Sequence, residues 1–227
     1  MEIIELNKSQ LLDMLFCENP CGFGGYGIVV AKGDKVYKIR YKNFINTYMS
    51  GDESHLDDEV DIFLFADQDY GLYNPNNRLK DFERLSETKS NKLITGVLSY
   101  RGLFAGIEMN YLKDYVSFWD ALDSISKDEL KDYLDKTLLL VNDLIDHDIA
   151  PRDIRGENVL INPLTKDVVL IDLDDIETIY VPYPNYLKEY PHHTDAVMQR
   201  FNEMKKGLTM RKENILTRTR NNTFTIS

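Results

Sequence analysis

A chain of 227 residues with 43% hydrophobic and 29% charged side chains has the make-up of an ordinary folded protein, built as one large domain or two small lobes around a substantial core. Its net charge of −11, with no long basic run, argues against nucleic acid as the main partner, because holding a phosphate backbone takes a positive surface. The two cysteines, Cys17 and Cys21, lack a second ligand pair, which argues against structural zinc or a disulfide and for a reducing, cytoplasmic setting.

The N-terminal MEIIELNKSQLLDML has no basic region of the kind that opens a secretory signal. No apolar run approaches the roughly 18 residues of a membrane span. Within residues 8–17, Leu11, Leu12, Leu15 and Phe16 fall at helical spacing behind a cap at Asn7 or Ser9, and Asn19-Pro20 ends the helix. Gly22-Phe23-Gly24-Gly25-Tyr26-Gly27 follows, a G-x-G-x-x-G run leading into a β-branched strand. Glycines there let backbone N–H groups approach phosphates, and Tyr26 stands at the tip to cover them. The run opens a β-hairpin (28–31, turn 32–34, 36–39) rather than a helix, which argues against a dinucleotide-binding loop. On the returning strand Lys38 lies on the face opposite Tyr37 and Ile39.

Residues 52–66 end in an apolar run and predict a helix carrying Glu53 and Glu59; residues 69–91 are polar and read as an irregular insertion. Two strands, 92–100 and 103–109, joined at Arg101-Gly102, lead into Met109-Asn110-Tyr111-Leu112. A short helix over 116–122 and a long one over 126–147 follow. The long helix has Ser126 and Glu129 as a capping box and an apolar stripe from Leu130 to Ile145, with His147 at its end. Beyond it come a loop with Asp153 and Asn158, a strand (159–161), a turn and a second strand (168–171) that delivers Asp172. The hairpin brings Asp153, Asn158 and Asp172 to one end. An acid, an amide and a second acid in one place suit a base plus oxygen ligands for Mg²⁺.

Taken with the hairpin, Arg152-Asp153-Ile154-Arg155-Gly156-Glu157-Asn158 resembles the protein-kinase catalytic loop, and Asp172-Leu173-Asp174 stands where that superfamily carries its metal-binding triplet. The glycine run then resembles the kinase glycine-rich loop, and Val36-Tyr37-Lys38-Ile39 the lysine strand. The resemblance spans Gly22 to Asp175. It implies an α+β, bilobal kinase-like fold, with a β-rich N-lobe over 1–109 and a reduced, mainly helical C-lobe over 110–227. It further implies ATP and Mg²⁺ as cofactors. Lys38 would hold the α/β-phosphates, oriented by Glu59 (or Glu53). Gly22, Gly24, Gly25, Tyr26 and Gly27 would cover the phosphates, and Met109 and Tyr111 would form the adenine-binding hinge. Asp153 would take the proton of the attacking hydroxyl, Arg155 would neutralise the transferring phosphoryl group, and Asn158 and Asp172 would ligate Mg²⁺.

The sequence departs from the kinase pattern in three places. Pro151 replaces a histidine, which removes a bond that stiffens the loop. Asp174 replaces a glycine, as in small-molecule kinases of the aminoglycoside and choline type, and reads as a metal ligand, a group behind one, or a solvated turn acid. No Ala-Pro-Glu follows Asp175; residues 180–190 are rich in Tyr and Pro, 194–206 fit one amphipathic helix, and 208–227 read as polar and partly disordered. Such trimming resembles compact Ser/Thr kinases of bacterial effector or viral type, which implies a host protein, a chaperone or signalling protein, as substrate. Three rival expectations are a small-molecule kinase, a non-catalytic mimic that blocks a host kinase, and nucleotidyl transfer on the same fold.

Overall fold

A computed structural model describes residues 1–15, 17, 20–24, 27–40, 75–90, 93–151, 153–173 and 191–223. They fall into two compact units, one made of Met1–Glu87 and Lys92–Tyr111, the other of Thr88–Asn91 and Leu112–Ser227.

The first unit is a six-stranded sheet built from β1 (Glu2–Glu5), β2 (Gly22–Gly24), β3 (Gly27–Lys32), β4 (Lys35–Arg40), β5 (Ile94–Tyr100) and β6 (Leu103–Asn110). The order across the sheet is β1-β5-β6-β4-β3-β2. Two hairpins expected from the sequence are present, β3–β4 closing at Lys32↔Lys35 and β5–β6 closing at Tyr100↔Leu103. In the second, Arg101 and Gly102 both have positive φ (51° and 75°), the conformation that matches a two-residue turn to strand twist. Strand β1 was not expected; it pairs parallel with β5, Glu2 opposite Gly96.

Helix α1 (Lys8–Leu15) packs on one face of this sheet. Its cap is Asn7, whose Oδ1 accepts from Gln10 N at 2.9 Å while Gln10 Oε1 accepts from Asn7 N at 2.9 Å. Leu11, Met14 and Leu15 join Ile28, Val30, Ile39, Leu98, Tyr100 and Ala105 in one buried cluster, with Tyr37 at its margin.

Helix α2 (Pro75–Ser86) packs against β5, β1 and β6 and corrects the irregular reading of 69–91 over its own residues. Asn74-Pro75 looks like a breaker, but proline at the first helical position costs nothing, since the N–H it lacks would have no intrahelical partner there. The helix forms because Phe82 and Leu85 bury apolar side chains on one face, on which Arg78 is also fully buried. Phe82 lies 6.5 Å from the Phe104 ring, and the Arg78 guanidinium 5.1 Å from it.

Asp81, 4.0 Å from Arg78, has its carboxyl pushed up to about 6 by burial, with Arg78 and Arg84 opposing the shift. A raised acid contributes stability in its protonated form, complete below the unfolded value of 3.8 and lost as pH rises through about 6. Urea midpoints measured from pH 4 to 8 are therefore expected to show Asp81→Asn matching wild type at the acid end and exceeding it above pH 6. Parallel profiles would contradict this.

The second unit is organised on helix α4 (Lys127–Asp146), preceded by β7 (Val116–Ser117) and the single-turn helix α3 (Phe118–Ala121). The expected helix over 116–122 is thus a strand pair followed by one turn, because Val116 pairs with Ile161. The capping box forms as read: Glu129 N donates to Ser126 Oγ at 3.1 Å and Ser126 N to Glu129 Oε2 at 2.8 Å. Lys166 also bonds Glu129, and with the Ser126 donors it holds that carboxyl at about 2. Leu130, Tyr133, Leu134, Thr137, Val141 and Leu144 form the buried face of the helix, and His147 ends it as cap.

Strands β8 (Val159–Ile161) and β9 (Val168–Leu170) extend β7 into a three-stranded sheet. Lys89 and Ser90 dock on α4, Lys89 N donating to Asp143 Oδ2 at 2.6 Å and Ser90 Oγ to the Leu140 carbonyl at 3.2 Å. Helix α5 (Pro191–Thr223) is far longer than the 194–206 expected, and the reading of 208–227 as partly disordered is corrected through Thr223. Burial of Val197, Phe201 and Met204 continues at helical spacing to Leu208 and Lys212, so the apolar stripe does not stop at 206.

Candidate active site

The segment from Asp153 to Asp172 is assembled by α4, a loop and the β8–β9 hairpin. After α4, Asp148 takes a left-handed φ of 62° just beyond the His147 cap, a common way for a helix to end. Ile149, Ala150 and Pro151 are buried and anchor the chain before Asp153. Gly156–Asn158 form a 3-10 turn, which shortens the path between Asp153 and Asn158. Asn158 is 7% exposed and donates from Nδ2 to the Asp153 carbonyl at 3.1 Å and to Asp153 Oδ2 at 3.0 Å. Its nitrogen end is therefore committed to Asp153, which leaves Oδ1 as the end an oxygen-seeking cation would meet.

Arg155 Nε lies 3.1 Å from Asp153 Oδ2, with 58% and 41% of the two side chains exposed. An ion pair this open contributes about 1 kcal/mol at most, so Arg155 can exchange its carboxylate partner for a phosphate at little cost. Ile171 N donates to the Asn158 carbonyl at 2.9 Å and carries the chain back beside the loop, directly before Asp172. Asp172 itself takes φ 62°. Left-handed backbone costs a non-glycine residue on the order of 1 kcal/mol, and Asp tolerates it better than most. The structure brings Asp153, Arg155 and Asn158 together, with Asp172 one residue from the bond that closes the hairpin.

In the first unit the glycine run forms a hairpin of its own: Gly22 pairs with Val29, Phe23 with Ile28 and Gly24 with Gly27. Gly25 and Tyr26, expected at its tip, lie outside the described residues, as do Glu59, Glu53 and Asp174. Lys38 is half-buried on β4, between Val29 on β3 and Ile107 on β6. Its neighbours Tyr37 and Ile39 turn into the α1-side core, so strand alternation sends Lys38 to the other face. Met109 sits in the ladder opposite Val36 and Ile94. The Asn110 and Tyr111 N–H groups donate to the Leu93 and Asp34 carbonyls, both at 2.8 Å, so these two donors are used within the first unit's own backbone.

The chain resembles a solved structure of Rad53 residues 1–466 in complex with AMP-PNP, with a TM-score of 0.52 and 13% identity over 84% of this chain. The fold is protein kinase-like. Likeness at this identity speaks for the fold alone, and the chain spans about half of that structure, 46% of its length. No protein-family model matches the sequence, and no curated protein matches it. Among the described residues no helix is long and apolar enough to cross a membrane.

Three residues around the Asp153 loop were not expected from the sequence: Trp119 on α3, and Arg200 and Leu208 on α5. Nothing in their local pattern marks them, because each reaches the loop across a distance in sequence that no periodicity records.

Proposed function

We propose that the protein transfers the γ-phosphoryl group of ATP to a Ser or Thr hydroxyl of a protein substrate. The observation that carries this reading is the joining of Asp153 to both Asn158 and Arg155, with Asp172 next in the chain after the Ile171–Asn158 bond. In it, Asp153 aligns the acceptor hydroxyl and takes its proton, which needs an exposed carboxylate held in one orientation; the Asn158 amide provides that hold. Arg155 moves from Asp153 to the phosphoryl oxygens as negative charge gathers there. Lys38 holds the α/β-phosphates, and Gly22, Gly24 and Gly27, with Gly25 and Tyr26, cover them.

The donor set suits Mg²⁺: one amide oxygen and two carboxylates, all hard, with the remaining positions left to phosphate and water as that ion prefers. Asn158 and Asp172 would hold it, together with Asp174. Bound there, Mg²⁺ with ATP supplies Lewis-acid neutralisation of the transferring group. Glu59 orients Lys38, and Met109 and Tyr111 border the adenine. The finer reading, a compact effector- or virus-type kinase acting on a host protein, belongs to the same proposal.

The test uses γ-labelled ATP, Mg²⁺ and a eukaryotic lysate, comparing wild type with Asp172→Asn. Asparagine keeps the left-handed backbone at low cost while removing the charge. A discrete labelled protein band with wild type alone is expected. A folded wild type that labels no protein would overturn the protein-substrate reading and turn the search to small hydroxyl acceptors.

A further inference from the structure

Helix α1 lies behind both parts of the first unit that the proposed reading gives to the phosphates. Leu11, Met14 and Leu15 share one buried cluster with Ile28 and Val30 of β3 and Ile39 of β4. Ile39 directly follows Lys38, and strand alternation puts the two side chains on opposite faces of the sheet. The helix therefore packs on the reverse of the face to which Lys38 is turned.

The glycine strand depends on the same packing. Strand β2 has three residues and lies at the end of the sheet order, with β3 as its one strand neighbour among the described residues. Gly22 and Gly24 have no side chains to anchor it, so its place follows from the pairing of Gly22 with Val29, Phe23 with Ile28 and Gly24 with Gly27. Strand β3 is anchored in turn by Ile28 and Val30, both buried in the α1 cluster. Cys17, just after α1, donates its N–H to the Met14 carbonyl at 3.4 Å, and Cys21, just before β2, donates its own to the Val29 carbonyl at 2.8 Å.

Helix α1 has eight residues, too few to be stable in isolation, so it leans on this packing and on its cap. The cap, the reciprocal bonds between Asn7 and Gln10, is exposed. The helix can therefore be loosened without opening a cavity in the core.

We infer that α1 is a positioning element for ATP binding: packed behind the sheet, it fixes β3 and β4 so that the glycine hairpin and Lys38 meet the phosphates in one arrangement. This rests on the reading of Lys38, Gly22, Gly24 and Gly27 as the groups that hold and cover them. Leu11, Met14 and Leu15 are positioning residues: they act through Ile28, Val30 and Ile39.

The experiment uses the full chain and three readouts: calorimetric titration with ATP and Mg²⁺, steady-state kinetics and amide hydrogen exchange. The variants are Asn7→Ala, which removes the cap, Asn7→Asp, which keeps its acceptor oxygen, and Leu15→Ala, which shortens a buried side chain at the helix end. Asn7→Ala and Leu15→Ala are each expected to weaken ATP binding and raise KM for ATP about 3- to 10-fold, with kcat at saturating ATP changed less than about twofold. In both, exchange should rise in 8–15, 22–24 and 27–30 and stay unchanged in 127–146. Asn7→Asp should match wild type in all three.

Unchanged ATP affinity in both alanine variants would overturn the inference, whatever the exchange. Raised exchange confined to 8–15 would overturn it as well, since the hairpin would then keep its place without the helix. So would a loss expressed in kcat with KM for ATP unchanged. Should Leu15→Ala unfold the unit, seen as raised exchange in 94–109, the Asn7 pair decides alone. A wild type that binds no ATP would overturn the nucleotide reading, and with it the role in ATP binding, while exchange in 22–24 and 27–30 would still decide whether α1 holds the hairpin.

Discussion

Asp153→Ala is expected to lower kcat by about 100- to 10,000-fold, the range for removing a positioned general base. The fold should survive, because the Asp153 side chain is 41% exposed and its charged partner Arg155 is 58% exposed, so neither group is left buried and alone. The one buried group affected is Asn158 Nδ2, which keeps the Asp153 carbonyl as an acceptor at 3.1 Å. ATP affinity should change little, since the proposed phosphate and metal contacts come from Lys38, Asn158 and Asp172. Asp153→Asn separates charge from shape. If alignment of the hydroxyl were the whole role, asparagine would restore most of the rate; if proton acceptance matters, it would not. Rates within about threefold of wild type for both variants would remove Asp153 from the chemistry.

Gly106→Ala is expected to destabilise the protein by roughly 3 kcal/mol or more. A Cβ at Gly106 would lie 2.1 Å from the Lys38 carbonyl oxygen and 3.1 Å from Ile39 Cα, and backbone cannot rotate aside as a side chain can. Strand β6 lies between β5 and β4, and its register shifts by a bulge near this point, between Leu98 and Ser99 on β5. Relief would have to come from parting β6 from β4 at the position that carries Lys38. Gly207→Ala on α5 is the contrast: nothing lies within 4 Å of its Cβ position. There the methyl group should stabilise by about 0.5–1 kcal/mol, as expected for replacing a helical glycine. Urea denaturation of both variants checks the pair. Equal midpoints would mean that the β6–β4 approach is looser than the close contact at Gly106 implies.

The readings that held were local. Ser126 and Glu129 are three residues apart, and their reciprocal bonds depend on nothing beyond the first turn of α4. The hairpins at Lys32–Lys35 and Tyr100–Leu103 follow from turn residues between β-branched runs. Asp153, Arg155 and Asn158 lie within six residues of one another, so one loop conformation brings them together. The readings that failed had the wrong weight on a single cue. The polar look of 69–91 hides a helix that Pro75 opens, and the polar look of 208–227 hides Leu208 and Lys212, which continue the buried stripe of α5.

By itself the sequence determined the elements whose causes lie a few residues apart: the β3–β4 hairpin with its lysine strand, the capped α4 and the Asp153–Asn158 loop. Tertiary structure decided what no periodicity can carry. It set β1 parallel to β5, brought Gly106 against the Lys38 carbonyl, and laid Arg200 and Leu208 on the loop that holds Asp153. The physical reason is that a cap, a turn or a strand alternation is fixed by neighbours along the chain. Which backbone meets which side chain across a closed loop is chosen by the packing of the whole unit.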